Sequence, residues 1–132
     1  MKNRMADEWL KAGKSDLDVI EQIIDQQHLK HMVAFHAQQC IEKCLKAGIE
    51  TNNVRVPKTH SIDRLVELLG QYMDLSELAL NQEEIDMLDD LYIEARYPGE
   101  MGLLPDGMPS KKQSDSLAKA AKACFCYFSG QL

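Results

Sequence analysis

The sequence predicts an all-α fold, an antiparallel four-helix bundle with an additional short helix, and three observations carry that prediction. Five segments repeat apolar residues at helical spacing, and none shows the alternation of a half-buried strand. Polar or Pro/Gly-rich breaks separate the segments, as in a bundle. Finally, 132 residues, 45% of them hydrophobic, suffice for one core that buries roughly two-thirds of the unfolded surface. No repeat, low-complexity tract or composition shift divides the chain, so residues 1–132 read as a single domain.

The first helix is expected from about Asp7 to Gln27, with Leu10, Leu17, Ile20 and Ile24 on one stripe. The second, about Leu29 to Gly48, aligns Val33, Ala37, Cys40, Ile41, Cys44 and Leu45, and Gly48 is a plausible C-terminal stop. "ETNNVRVPK" then reads as a loop broken by Pro57. Thr59 or Ser61 can cap a shorter third helix that carries Ile62, Leu65, Val66 and Leu69 and fades between Gly70 and Met73. The fourth opens at "NQEE", where Asn81 and Glu84 have capping-box spacing. It buries Ile85, Leu88, Tyr92 and Ala95 and ends at Arg96 or Tyr97, because Pro98 disfavours the helical conformation before it. "PGEMGLLPDGMP" (98–109) is a loop, and "SKKQ" caps a last helix carrying Leu117, Ala121, Cys124 and Phe128.

Charge narrows the function. A net charge of −6 and a pI near 5.1 argue against a protein that coats nucleic acid through bulk electrostatics, which needs clustered Lys and Arg. They leave room for a local cationic pocket. The chain has no apolar run near the roughly 20 residues of a membrane span, and its N-terminal stretch lacks the apolar core of a signal peptide. A cytoplasmic location with no membrane partner is the expectation. The four cysteines, Cys40, Cys44, Cys124 and Cys126, lie within helical patterns rather than CxxC spacing. They are expected as buried thiols packing as small hydrophobes.

Several constellations could carry chemistry. In "FHAQQCIEKCLKAG", His36, Gln39 and Lys43 share a polar face opposite the cysteine stripe, with Phe35, Gln38 and Glu42 beside it. That face is either solvated or the wall of a polar cleft between helices or subunits. His36, Cys40 and Cys44 have the spacing of a metal ladder, but successive steps drift around the helix and a fourth ligand is missing, so core cysteines are the default and no metal is assigned. Glu-x-x-His, CxxCH, Walker, GxGxxG and GxSxG patterns are absent from the sequence, and no cofactor is expected. Lys58, Thr59 and His60 stand where a helix begins and its free N–H groups favour an anion. The alternative there is a Thr59 cap and a packed His60. Arg55 and His60, separated by four residues across a loop and Pro57, do not form one helical face.

Together, "KSDLDVI", "FHAQQCIEKCLKAG", "VPKTHSIDRLVELL" and "ARYPGE", running from about Lys14 to Glu100, make the chain similar to the HEPN domain family. The resemblance implies a four- to five-helix bundle that usually forms a homodimer. Many members are paired with a minimal nucleotidyltransferase in a module of toxin–antitoxin type. Others are metal-independent ribonucleases in which a helical Arg is followed, four to six residues on, by a His. Arg96 matches that Arg, but Met101, Gly102 and Leu103 occupy the positions for the His, and none can move a proton.

The departure implies a protein that is not catalytic and that binds a nucleotide phosphate, a nucleotidyltransferase partner, or both. In that reading Arg96, Tyr97, His60, Lys43 and Lys58 contact phosphate, and His36, Gln39 and Glu42 form the polar cleft or dimer face. One alternative is an RNA-cleaving toxin with His60 brought to Arg96 or Arg55 by folding. The other is a purely structural helical dimerisation module.

Overall fold

In a computed structural model, residues 3–78, 80–96 and 109–131 are described, without the side chains of 92–96 and 131. Among the described residues the chain is helical throughout its regular structure: α1 (Arg4–Ile23), α2 (Lys30–Thr51), α3 (Ile62–Leu69), α4 (Gln82–Arg96) and α5 (Lys111–Gln131), with one 3-10 turn at Gln27–Leu29.

Local chemistry sets most of these boundaries. The Asn3 side chain accepts from the Ala6 N–H and starts α1 three residues before the apolar stripe suggests. Ser61, not Thr59, caps α3, accepting from Arg64 N–H. Thr59 instead braces the turn before it, accepting from Ser61 N–H. Both expected capping boxes form: Asn81 accepts from Glu84 N–H while Glu84 accepts from Asn81 N–H, and Ser110 and Gln113 do the same. Each satisfies two N–H groups that the helix itself cannot. α4 is helical up to Arg96, the last described residue before 109, and the stop expected before Pro98 lies outside the described residues.

α2 is the central strut, packed by the other four helices. Asn3 of α1 reaches the Glu50 carbonyl at one end of α2, and Asp16 reaches His36 and Lys43 further back, so α1 and α2 run antiparallel. α5 runs with α2: Ser114 bonds the Lys30 carbonyl near the start of both, and Phe128 packs on Gly48 near their ends. α3 also follows α2, from His60 beside Gln38 to Leu69 against Gly48. Antiparallel pairing thus belongs to the short α1–α2 connection and to α1 against α5.

The core holds Ile41, Leu45 and Ile49 of α2, Leu65 and Leu69 of α3, Leu88 of α4, and Leu117 and Phe128 of α5. Gly48 does not stop α2. A Cβ there would stand 2.7 Å from Phe128 Cε1 and 2.8 Å from Leu69 Cδ2, so the glycine is what lets α3 and α5 close on the strut. The helix runs on to Thr51, and Asn53 takes the left-handed turn (φ 59°) that ends it, a conformation Asn tolerates better than most residues.

Candidate functional site

Buried charge, not an open cavity, marks the site. Asp16, Gln38, Glu42 and Lys46 are all buried in the chain's interior. Removing such groups from water is costly unless each is paired, and here each is.

Two clusters lie along one side of α2. In the first, the Asp16 carboxylate of α1 accepts from His36 Nδ1 at 2.8 Å and from Lys43 Nζ at 2.7 Å. His36 and Lys43 are seven positions apart, so one carboxylate from the neighbouring helix clamps two full turns. In the second, Glu42 accepts from Lys46 Nζ at 2.9 Å, His60 Nδ1 at 3.1 Å and Gln38 Nε2 at 3.1 Å. Gln38 also donates to the His60 carbonyl, which ties the segment entering α3 to α2, and accepts from Gln39 Nε2 at 2.6 Å. Lys46 and Glu42 side chains are each only 6% exposed. The Lys46 ammonium sits 5.4 Å from the centre of the Trp9 ring, a cation–π contact that further offsets its burial.

Carboxylates only accept hydrogen bonds, so His36 and His60 each donate from Nδ1 and are fixed in tautomer and ring plane. Phe35 meets His36 edge-on at 5.4 Å between centroids. The outcome is a seam of donors held rigid before any ligand arrives. His36, Lys43 and Gln39 are half-buried along it and His60 is 44% exposed.

The structure therefore brings together His36, Gln39, Glu42, Lys43 and His60 among the residues expected from sequence. The α2 face is partly covered, by Asp16 of α1 and by the segment entering α3, rather than fully solvated. It is also not opposite the cysteines: α1 covers both, with Gly13 against Cys40 and Cys44 and Asp16 one turn along. Lys58 is exposed and joins neither cluster. The Arg96 side chain, Tyr97 and the loop from Pro98 to Met108 lie outside the described residues.

Two expectations need correction. The N-terminus of α3 already holds an anion, and it is internal: the Asp89 carboxylate accepts from Ile62 N–H at 2.6 Å, from Asp63 N–H and from the Ser61 hydroxyl. An external anion finds those groups taken. Of the cysteines, Cys40, Cys44 and Cys124 are buried but Cys126 is exposed. A hydrogen bond with Cys44, then burial, raises the Cys40 thiol far above its usual range. Cys44 is raised by a hydrogen bond with Cys124 and by burial. A metal needs the thiolate, and no group of three His, Cys, Asp or Glu side chains suited to a metal occurs among the described residues.

Asp16 and Lys46 were not anticipated. The signal for Asp16 was its register, three residues after Gly13 and four before Ile20, on a seam of small and apolar residues where an acid has no place without a partner. Lys46, four residues after Glu42, is the usual spacing of a helical ion pair.

The fold and site define an all-α domain with a preorganised polar seam along its central helix. The chain belongs to the HEPN domain family, whose pattern matches residues 6–129. The match takes in α5 as well as the blocks that carried the resemblance. No match was found among curated proteins or among solved structures. No helix among the described residues is long and apolar enough to cross a membrane.

Proposed function

We propose that this HEPN-domain protein is a non-catalytic binding component of a HEPN–nucleotidyltransferase module of toxin–antitoxin type. It acts as a homodimer and engages a nucleotide phosphate, presented free or by the partner, at the α2 seam and the Arg96–Tyr97 corner. The observation that supports this reading is the fixing of His36 and Lys43 by one buried carboxylate. An ammonium has three N–H donors and Asp16 takes one, so Lys43 keeps donors for an anion while its chain is already ordered. Preordered donors lose less entropy on binding.

The test is a calorimetric titration of ATP into the wild type, Lys43→Ala and Arg96→Ala. Binding in the wild type that weakens at least about tenfold in both variants, the loss of one charged hydrogen bond each, supports the proposal. Absence of heat in the wild type removes the nucleotide half. Equal binding in all three moves the ligand away from these residues.

A second reading has one observation in its favour. His60 is oriented by Glu42, and an imidazole held by a carboxylate is the arrangement of a general base. On that reading the chain cleaves RNA with His60 in place of the His that Met101, Gly102 and Leu103 lack. Cleavage of tRNA or mRNA by the purified protein, lost in His60→Ala, would favour it. Cleavage retained in that variant comes from a contaminant and removes it.

A further inference from the structure

α1 and α5 both rest on α2 but diverge from one another, leaving a furrow of about 650 Å³ between them. Its floor is apolar: Leu17 and Ile24 of α1 and Ala118 and Phe125 of α5 are only partly covered by the core. A monomer leaves such a strip in water at a cost proportional to its area.

The rims carry an unbalanced charge pattern. On α1, Lys14 pairs with Asp18, leaving Glu21. On α5, Lys111 pairs with Asp115, leaving Lys119 and Lys122. Among the described residues none of Glu21, Lys119 and Lys122 has an ion-pair partner within 4 Å. One rim is thus residually acidic and the other residually basic. α1 and α5 run antiparallel, and these three residues line the same furrow.

We infer that the α1–α5 furrow is the homodimer interface, occupied by the same furrow of a second copy about a two-fold axis along its length. That operation sets α1 of one copy over α5 of the other, so both apolar floors close on each other. Glu21 of each copy then faces Lys119 and Lys122 of the other. An interface of this kind is isologous and closes at two copies. The size fits: helices of 20 and 21 residues are about 30 Å long, and two side by side offer on the order of 600 Å² a side, close to the roughly 800 Å² of a standard interface. An acidic or basic foreign helix would match only one rim, whereas a second copy matches both.

The inference rests on the proposed homodimer and adds where it forms. It also gives Cys126 a readout. Cys126 is exposed on the furrow, while Cys40, Cys44 and Cys124 are buried, so a maleimide reports on this thiol and the dimer shields it.

The test is sedimentation equilibrium of the full chain across micromolar concentrations, with Glu21→Lys, with Lys119→Glu/Lys122→Glu, and with all three together. The expected result is a wild-type dimer, dissociation raised about tenfold or more in each charge swap through like-charge contact, and recovery in the triple variant. Maleimide labelling of Cys126 slows as wild-type concentration rises, and does not slow in the swaps. A monomeric wild type overturns both the proposed homodimer and this interface. A dimer indifferent to the swaps, with Cys126 labelling independent of concentration, overturns the interface alone and places the dimer contact elsewhere. A monomer that takes up a fluorescent apolar dye, blocked by Phe125→Glu, overturns it in favour of a small apolar ligand.

Discussion

Glu42 accepts from the Lys46 ammonium, the His60 imidazole and the Gln38 amide, and its burial makes it the residue on which the seam depends. Glu42→Ala would leave the Lys46 ammonium buried and without its carboxylate, which typically costs about 3–5 kcal/mol. Urea unfolding of the variant should show a loss of that order. Replacing both, as Glu42→Leu/Lys46→Met, should recover most of it, since an apolar pair of similar volume avoids the desolvation. If the double variant is as unstable as the single one, the seam contributes more than paired burial. Gly48 makes a second prediction at this scale. Gly48→Ala drives a methyl into Phe128 and Leu69 and should destabilise by about 1–3 kcal/mol, although alanine favours the helix by roughly 1 kcal/mol. Gly130→Ala in α5 meets nothing within 4 Å and should be neutral or stabilising. The contrast shows why Gly48 reads as a helix stop in the sequence: composition records the missing side chain, and only the tertiary partner reveals its reason. The same limit hid Lys46 and the burial of its pair with Glu42, since ordinary surface charges become a seam only when Trp9 and the entry to α3 cover them.

Among elements, α3 is the shortest helix and the most dependent on its start. Ser61 and Asp89 together satisfy three of its first N–H groups. Asp89→Ala should cost about 1–2 kcal/mol, the upper range for a lost cap, and hydrogen exchange should quicken in α3 before α2. Uniform exchange across both helices would contradict that local role. The caps of α4 and α5 were legible because a capping box involves residues within four positions of each other, and local spacing is what a sequence displays. Asp89 was not legible as a cap, because it comes from 27 residues beyond the N–H it serves. The α2–α5 seam carries a pH prediction. Hydrogen bonds with Cys44 and with Cys124 raise the thiols of Cys40 and Cys44 respectively, and burial raises both, so the folded chain keeps protons that the unfolded chain releases above about pH 8.5. Stability is therefore intact below that pH and falls as pH rises past it, by up to about 1.4 kcal/mol per thiol per pH unit. Denaturant titrations between pH 8 and 10 should show this slope, reduced in Cys44→Ala.

At the scale of the whole molecule, the helical bundle follows from five apolar stripes around one strut, and that much was written in the periodicity. The site was legible in part. His36, Gln39, Glu42, Lys43 and His60 could be picked out because their spacing repeats along α2 and at the start of α3. Their clamps could not, since Asp16 reaches across from another helix. The account's central claim is that the donors fixed along α2 form the ligand-facing site. Amide and side-chain NMR of the isotopically labelled protein, titrated with ATP, tests it most directly. The account predicts shifts concentrated at His36, Gln39, Lys43 and His60, with the α1–α5 furrow unchanged. Shifts confined to the furrow or to α3's outer face, or no shifts at saturating ATP, would contradict it.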